Sequence, residues 1–157
     1  MTDFKPLIEF LRSNIGVRKL KLVIILYEEG FLLISILLGS GFEETEVVIV
    51  FDILKRAEAD VGLISVTGSI EVSSARNLII KTELIEDVKN QKHQMVVIPG
   101  GMGGVKRILN SPSAKIFLQK VFKDKTIISA ICAGPLVLDK FGLFDQDTKY
   151  TCYPGIE

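Results

Sequence analysis

Tryptophan is absent from this chain of 157 residues, histidine occurs once, at position 93, and cysteine twice, at 132 and 152. With no tryptophan and three tyrosines, little is available to stack on the bases of a single-stranded nucleic acid. A charge of one sign is missing too. Nineteen Lys and Arg balance nineteen Asp and Glu, so no broad field draws phosphate backbones or anionic lipid. Nucleic acid is not an expected partner. Two cysteines are too few for a disulfide framework and suit a reducing compartment as free thiols. His93 lies between Lys92 and Gln94 and is read as a solvated loop residue. Without a second histidine and a suitable cysteine spacing no metal site can be argued, and no cofactor is expected.

Long apolar runs are also lacking. Glu28, Glu29 and Gly30 cut the stretch from Leu20 to Leu38 into two short pieces, each well under the roughly 20 residues of a spanning helix. Asp3 and Glu9 occupy the place of a basic n-region, which argues against a secretory signal. The protein is therefore expected in the cytoplasm, away from membranes.

What is present alternates between two periods. Residues Asp3 to Ser13 carry Phe4, Leu7, Ile8 and Leu11 at helical spacing, with Pro6 tolerated in the first turn. Leu20 to Tyr27 and Leu32 to Leu38 are continuous apolar runs bounded by glycine, the pattern of strands buried on both faces of a parallel sheet. After Gly41 the period turns helical. Val47, Val48, Val50, Phe51 and Leu54 share a broad face, with Glu43, Glu44 and Glu46 in the first turn, where acids suit the helix dipole. Val61 to Val66, Met95 to Ile98 and Thr126 to Ile131 read as further core strands, and Ile70 to Val72 with Leu78 to Ile80 as a small antiparallel excursion. Helices are expected over Ser113 to Phe122 and Ala133 to Phe141, and a last short strand over Thr148 to Cys152. Such alternation predicts one α/β domain, a flavodoxin-like, doubly wound, mostly parallel sheet with helices on both faces. In that architecture ligands sit outside the carboxyl ends of the strands, where strand order reverses. Glu46, the Gly100 and Gly101 turn, and Cys132 converge there.

Cys132 joins an apolar strand to a helix in Ser129-Ala130-Ile131-Cys132-Ala133-Gly134-Pro135. A side chain presented on so tight a turn needs small residues two places either side, and Ala130 and Gly134 supply them. A buried cysteine is usually inert; this setting favours a reactive one. A helix dipole is worth at most about 2 kcal/mol to a thiolate. Backbone N–H groups of Gly101 and Ala133, and a protonated Glu46 carboxyl, would have to supply the rest. Glu43 and Glu44 read as dipole-complementing surface acids. The Pro99-Gly100-Gly101-Met102-Gly103-Gly104 run fits neither the dinucleotide nor the P-loop spacing, and reads as an oxyanion-type turn. Arg76 is the one cation of the antiparallel excursion and is a candidate to meet an anionic substrate group or an oxidised sulfur.

Gly41-Phe42-Glu43-Glu44-Thr45-Glu46, Pro99-Gly100-Gly101, Ala130-Ile131-Cys132-Ala133-Gly134-Pro135 and Thr151-Cys152-Tyr153-Pro154-Gly155 resemble, in order, the signatures of the ThiJ/PfpI (DJ-1) family. The likeness runs from about Leu33 to the C-terminus. It implies a fold like that of the class I glutamine amidotransferases, Cys132 as nucleophile or oxidisable thiol, Glu46 as its carboxyl partner, and Gly100, Gly101 and Ala133 as backbone donors. Arg76 falls where this branch often carries an arginine near the site. Further implications are a glutathione-independent glyoxalase or deglycase acting on a small aldehyde or glycated substrate, and pairing as a homodimer. An oxidation sensor, a redox-regulated chaperone and an inactive fragment are the alternatives. The protease-like branch has histidine after the cysteine; Ala133 stands there, and Tyr153 stands where some members have a histidine. Residues 1–32 precede the family's first strand as an extension, and the domain over residues 33–157 is expected to lack the closing strand and helix that members generally have.

Overall fold

A computed structural model describes residues 33–145 and 147–155, and the expected helix over Asp3 to Ser13 and strand over Leu20 to Tyr27 lie outside them. The described chain opens with β1 (Leu33–Leu38), α1 (Glu44–Arg56), β2 (Val61–Ser65), β3 (Glu71–Ser73) and β4 (Ile79–Lys81). It continues through β5 (Glu83–Leu84), α2 (Ile85–Val88), β6 (His93–Ile98), α3 (Met102–Leu109), α4 (Pro112–Lys123), β7 (Ile127–Ala130) and α5 (Pro135–Lys140). Five strands form one sheet in the order β5-β2-β1-β6-β7, every pair parallel. The hairpin β3-β4 is a separate antiparallel pair. Strand order reverses beside β1, so β1, β6 and β7 lie next to each other as expected.

All six residues of β1 are buried, because alternate side chains enter two cores. Ile34, Ile36 and Leu38 join Phe42, Val47 and Val72 on the α1 side. Leu37 joins Ile64, Val96, Ile98, Phe117 and Leu118 on the side covered by α3, α4 and α5. Each such side chain contributes about 1.5–3 kcal/mol on leaving water. Of the broad face expected on α1, Val47 is buried and Val50, Phe51 and Leu54 pack at its edge, whereas Val48 stays exposed with Ile49 and Ile53. Among the described residues no helix is long and apolar enough to cross a membrane.

Three expectations change. Thr148 to Cys152 is not a strand. The glycine run after Pro99 is not merely a turn: it leads into α3, whose N-cap Gly101 has φ 83°. A Cβ on Gly104 would lie 2.9 Å from Phe42 Cα, so the missing side chain lets α3 pack on the loop before α1. His93 is not a solvated loop residue. It opens β6 and is buried, Nε2 3.0 Å from the Val88 carbonyl and Nδ1 2.9 Å from Ser35 Oγ. Its ring meets Phe117 edge-on at 4.9 Å.

The pairing with a carbonyl makes Nε2–H the donor, leaving Nδ1 to accept from Ser35. Burial, and to a smaller degree the nearby Lys120 charge, push the imidazole below its ordinary value, against the Val88 hydrogen bond. A histidine depressed in the folded state binds its proton more readily when unfolded. Its contribution to stability is therefore complete above about pH 6.5 and is lost as pH falls through the lower native value. Thermal midpoints should drop between about pH 6.5 and 5, and His93→Gln should flatten that slope; a parallel slope in the variant would remove His93 as the cause.

Candidate active site

Cys132 follows β7 and has φ 58°, a left-handed conformation that costs a non-glycine residue about 1–2 kcal/mol. The surrounding backbone holds it there. Ile131 N–H donates to the Ile98 carbonyl at 3.2 Å, Gly134 N–H to Ile131 at 2.8 Å, and Tyr153 N–H to Cys132 at 2.8 Å. The sharp elbow expected from the small flanking residues is therefore present, and a backbone strain maintained by its neighbours is a common mark of a functional position.

Glu46, in the first turn of α1, faces this sulfur across Gly100. Its Oε2 accepts from the Gly100 N–H at 2.6 Å. A Cβ placed on Gly100 would lie 2.7 Å from Cys132 Cβ, 2.8 Å from Glu46 Oε2 and 3.0 Å from Cys132 Sγ. Glycine is thus required for the thiol and carboxyl to approach over the backbone. Glu43 N–H donates to the Gly100 carbonyl at 3.1 Å, which fixes the start of α1 against the same turn. The structure brings Cys132, Glu46, Gly100, Gly101 and Ala133 together. All of these but Gly100 line a cavity of about 410 Å³, together with Glu43, Thr45, Met102 and Tyr153.

The thiol lies above the ordinary cysteine value. Burial raises it most, then the hydrogen bond and the charge of Glu46; hydrogen bonds from the Ala133 and Gly101 amides oppose them. The expected lowering by a helix dipole does not prevail. Helix α5 begins only at Pro135, with Gly134 as its cap, and is six residues long, whereas the dipole effect fades within a turn. A carboxylate beside the sulfur instead favours S–H as a donor. A proton on Glu46 reverses that contact, since the carboxyl then donates to a thiolate. Glu46→Gln keeps the shape, removes the charge and supplies an N–H donor. The midpoint of pH-dependent alkylation at Cys132 should move down in Glu46→Gln; an unchanged or higher midpoint would mean that the carboxylate does not govern the sulfur.

Arg76 is not brought into the cavity. Its Nη1 donates to both Glu43 oxygens at 3.0 and 2.9 Å and lies 3.3 Å from Glu44 Oε1. The guanidinium is committed to the first turn of α1, holding the Glu43 carboxyl below its usual range with help from Thr45. The substrate-binding role expected for Arg76 gives way to neutralising an acid at the cavity rim. Glu44 is not a freely solvated acid either, since its Oε2 is buried without a hydrogen-bond partner. Met102 is a lining residue that sequence reasoning passed over, because the glycines around it conceal the helix it begins.

The DJ-1/PfpI family model matches residues 33–157. The chain belongs to the DJ-1/PfpI family. It is 32% identical over 130 residues to the Arabidopsis thaliana protein DJ-1 homolog B, covering 82% of this chain and 30% of that protein. It is also 32% identical over 112 residues to the Caenorhabditis elegans glutathione-independent glyoxalase DJR-1.2, covering 71% and 58% respectively. The solved structure of oxidized Toxoplasma gondii DJ-1 is similar with a TM-score of 0.74 and 34% identity, covering 78% of this chain and 67% of that one. The chain thus spans less than two thirds of the length of these two curated relatives. The doubly wound, mostly parallel sheet expected from the alternating pattern is observed, and it is the DJ-1/PfpI fold that the motif resemblance implied.

Proposed function

We propose that this DJ-1/PfpI chain is a cofactor-independent cysteine enzyme that converts small α-oxoaldehydes such as methylglyoxal to 2-hydroxy acids. The observation that carries the reading is the strained Cys132 at the elbow, facing Glu46 across Gly100 at the mouth of a cavity. One relative bears the name of a glutathione-independent glyoxalase, which supports the same chemistry.

In this reading Cys132 passes its proton to Glu46, and the sulfur attacks the aldehyde carbon. The new hemithioacetal oxygen lies within reach of the Gly101 and Ala133 N–H groups, donors already aimed at sulfur, which stabilise negative charge there. Glu46 gives that first proton to the ketone oxygen and, as a carboxylate again, removes the hydrogen on the former aldehyde carbon and returns it as a proton to the adjacent carbon. The oxidised carbon is then a thioester and the neighbouring one a secondary alcohol. Water cleaves the thioester to give lactate and the free thiol. The sum is methylglyoxal plus water to lactate, with no external oxidant or reductant. The cavity volume, about 410 Å³, admits a three-carbon substrate.

A second reading rests on the same sulfur. An accessible cysteine beside backbone donors can be oxidised to a sulfinate, and a similar structure is described as oxidized. The purified chain should release lactate from methylglyoxal without glutathione. A two-oxygen mass gain confined to Cys132 after mild peroxide, with no lactate formed, would replace the enzyme by the sensor. Pairing with a second copy is part of the proposal as well, and sedimentation of the full chain as a monomer would remove it.

A further inference from the structure

A second cavity, of about 490 Å³, opens at the carboxyl ends of β1 and β2 and shares no lining residue with that of Cys132. Its walls come from three places: Ser40 after β1, the segment Thr67 to Glu71 after β2, and the passage from α3 to α4 with Arg107 and Ser111. It lies at the same end of the sheet as the switch point between β1 and β6 that Cys132 occupies. Nothing in the aldehyde chemistry uses this place.

Its polar groups lean toward donation. Ser69 Oγ accepts from Glu71 N–H at 3.1 Å, and Ser111 Oγ accepts from Ala114 N–H at 3.2 Å. Each hydroxyl therefore has one acceptor site engaged by the backbone and keeps its own hydrogen for another partner. Arg107 adds a permanent cation. Among the described residues it forms no ion pair, although other arginines of the chain do. Its stem is set close to the end of β1, where a Cβ on Gly39 would lie 2.6 Å from Arg107 Cβ. The start of α4, capped by Ser111, turns the positive end of a twelve-residue helix to the same side. Glu71 is the one acid on the wall. It disfavours a bare anion and accepts from a hydroxyl group.

We infer that this cavity is a binding site for a small hydroxylated phosphate monoester. The guanidinium of Arg107 and the Ser69 and Ser111 hydroxyls take the phosphate, and Glu71 takes a ligand hydroxyl. The site stands independently of the Cys132 chemistry.

Calorimetric titration of the full chain with glycerol 3-phosphate tests it, with glycerol and inorganic phosphate as separate arms. Saturable binding of the ester is expected, with none of glycerol alone, and amide shifts confined to 67–71 and 107–113. Arg107→Gln should weaken the ester by about tenfold or more, the loss of a charge-assisted hydrogen bond. Glu71→Gln should tighten inorganic phosphate severalfold, and Cys132→Ser should leave both unchanged. No binding into the millimolar range, glycerol binding as well as its phosphate, or an affinity that ignores both Arg107→Gln and Glu71→Gln would overturn the assignment.

Discussion

Cys132→Ala will leave the chain folded and without turnover of methylglyoxal to lactate. The fold survives because the thiol is only partly buried at the edge of the larger core, and alanine shares the steric cost of φ 58° with cysteine. A stability change within about 1 kcal/mol is expected. Turnover has no such reserve. The other hydroxyls on the cavity wall belong to Thr45, which donates to Glu43 at 3.0 Å, and Tyr153; neither sits on the elbow between the Gly101 and Ala133 amides. Without sulfur no covalent adduct forms, and what remains is the background reaction in water. Cys152 does not line the cavity, so Cys152→Ala should retain wild-type turnover. Enzymatic lactate detection beside a thermal melt checks each variant. Equal turnover in Cys132→Ala and the parent chain would end the aldehyde mechanism.

The larger part of this site was legible because small residues are informative where the backbone turns sharply. Ala130 and Gly134 around Cys132 point to an elbow, and the continuous apolar runs of β1, β6 and β7 point to a parallel sheet whose carboxyl ends bring that elbow near Glu46. Legibility ends where long side chains choose among partners. Arg76, the one cation of the loop between β3 and β4, turns to the carboxylates of Glu43 and Glu44, a choice made by distances in three dimensions. His93 was hidden for a related reason: its polar neighbours Lys92 and Gln94 suggested solvent, yet the hydroxyl that donates to its Nδ1 belongs to Ser35 on β1, 58 positions away. The sulfur's upward shift likewise depends on its burial and on the contact with Glu46, neither of which composition alone gives. Helix α3 escaped notice because Gly103 and Gly104 weaken its local propensity, while packing against Phe42 and Val105's burial hold it in place.

Gly100→Ala should damage catalysis more than it damages the fold. The added methyl would meet Cys132 Cβ at 2.7 Å and Glu46 Oε2 at 2.8 Å, and these two neighbours cannot yield equally. Cys132 is pinned by the Tyr153 N–H at 2.8 Å and by flanking hydrogen bonds from Ile131 and Gly134, so its Cβ moves only with the elbow. The Glu46 carboxyl is the end of a flexible side chain, and it gives way. Its 2.6 Å hydrogen bond from Gly100 N–H is then strained or lost, and the base leaves the sulfur it serves. Overpacking of this kind costs about 1–3 kcal/mol of stability, which a melt will register as a lowered midpoint. A displacement of about 1 Å at a reacting group can cost about 100-fold in rate, so kcat/KM for methylglyoxal should fall by at least that order. Gly68→Ala provides the contrast. Gly68 also carries a conformational demand, φ 77°, but nothing lies within 4 Å of an added Cβ, so it should lose stability and keep its turnover. If Gly100→Ala turns over methylglyoxal as fast as Gly68→Ala, the close approach of thiol and carboxyl over residue 100 is not what the chemistry uses.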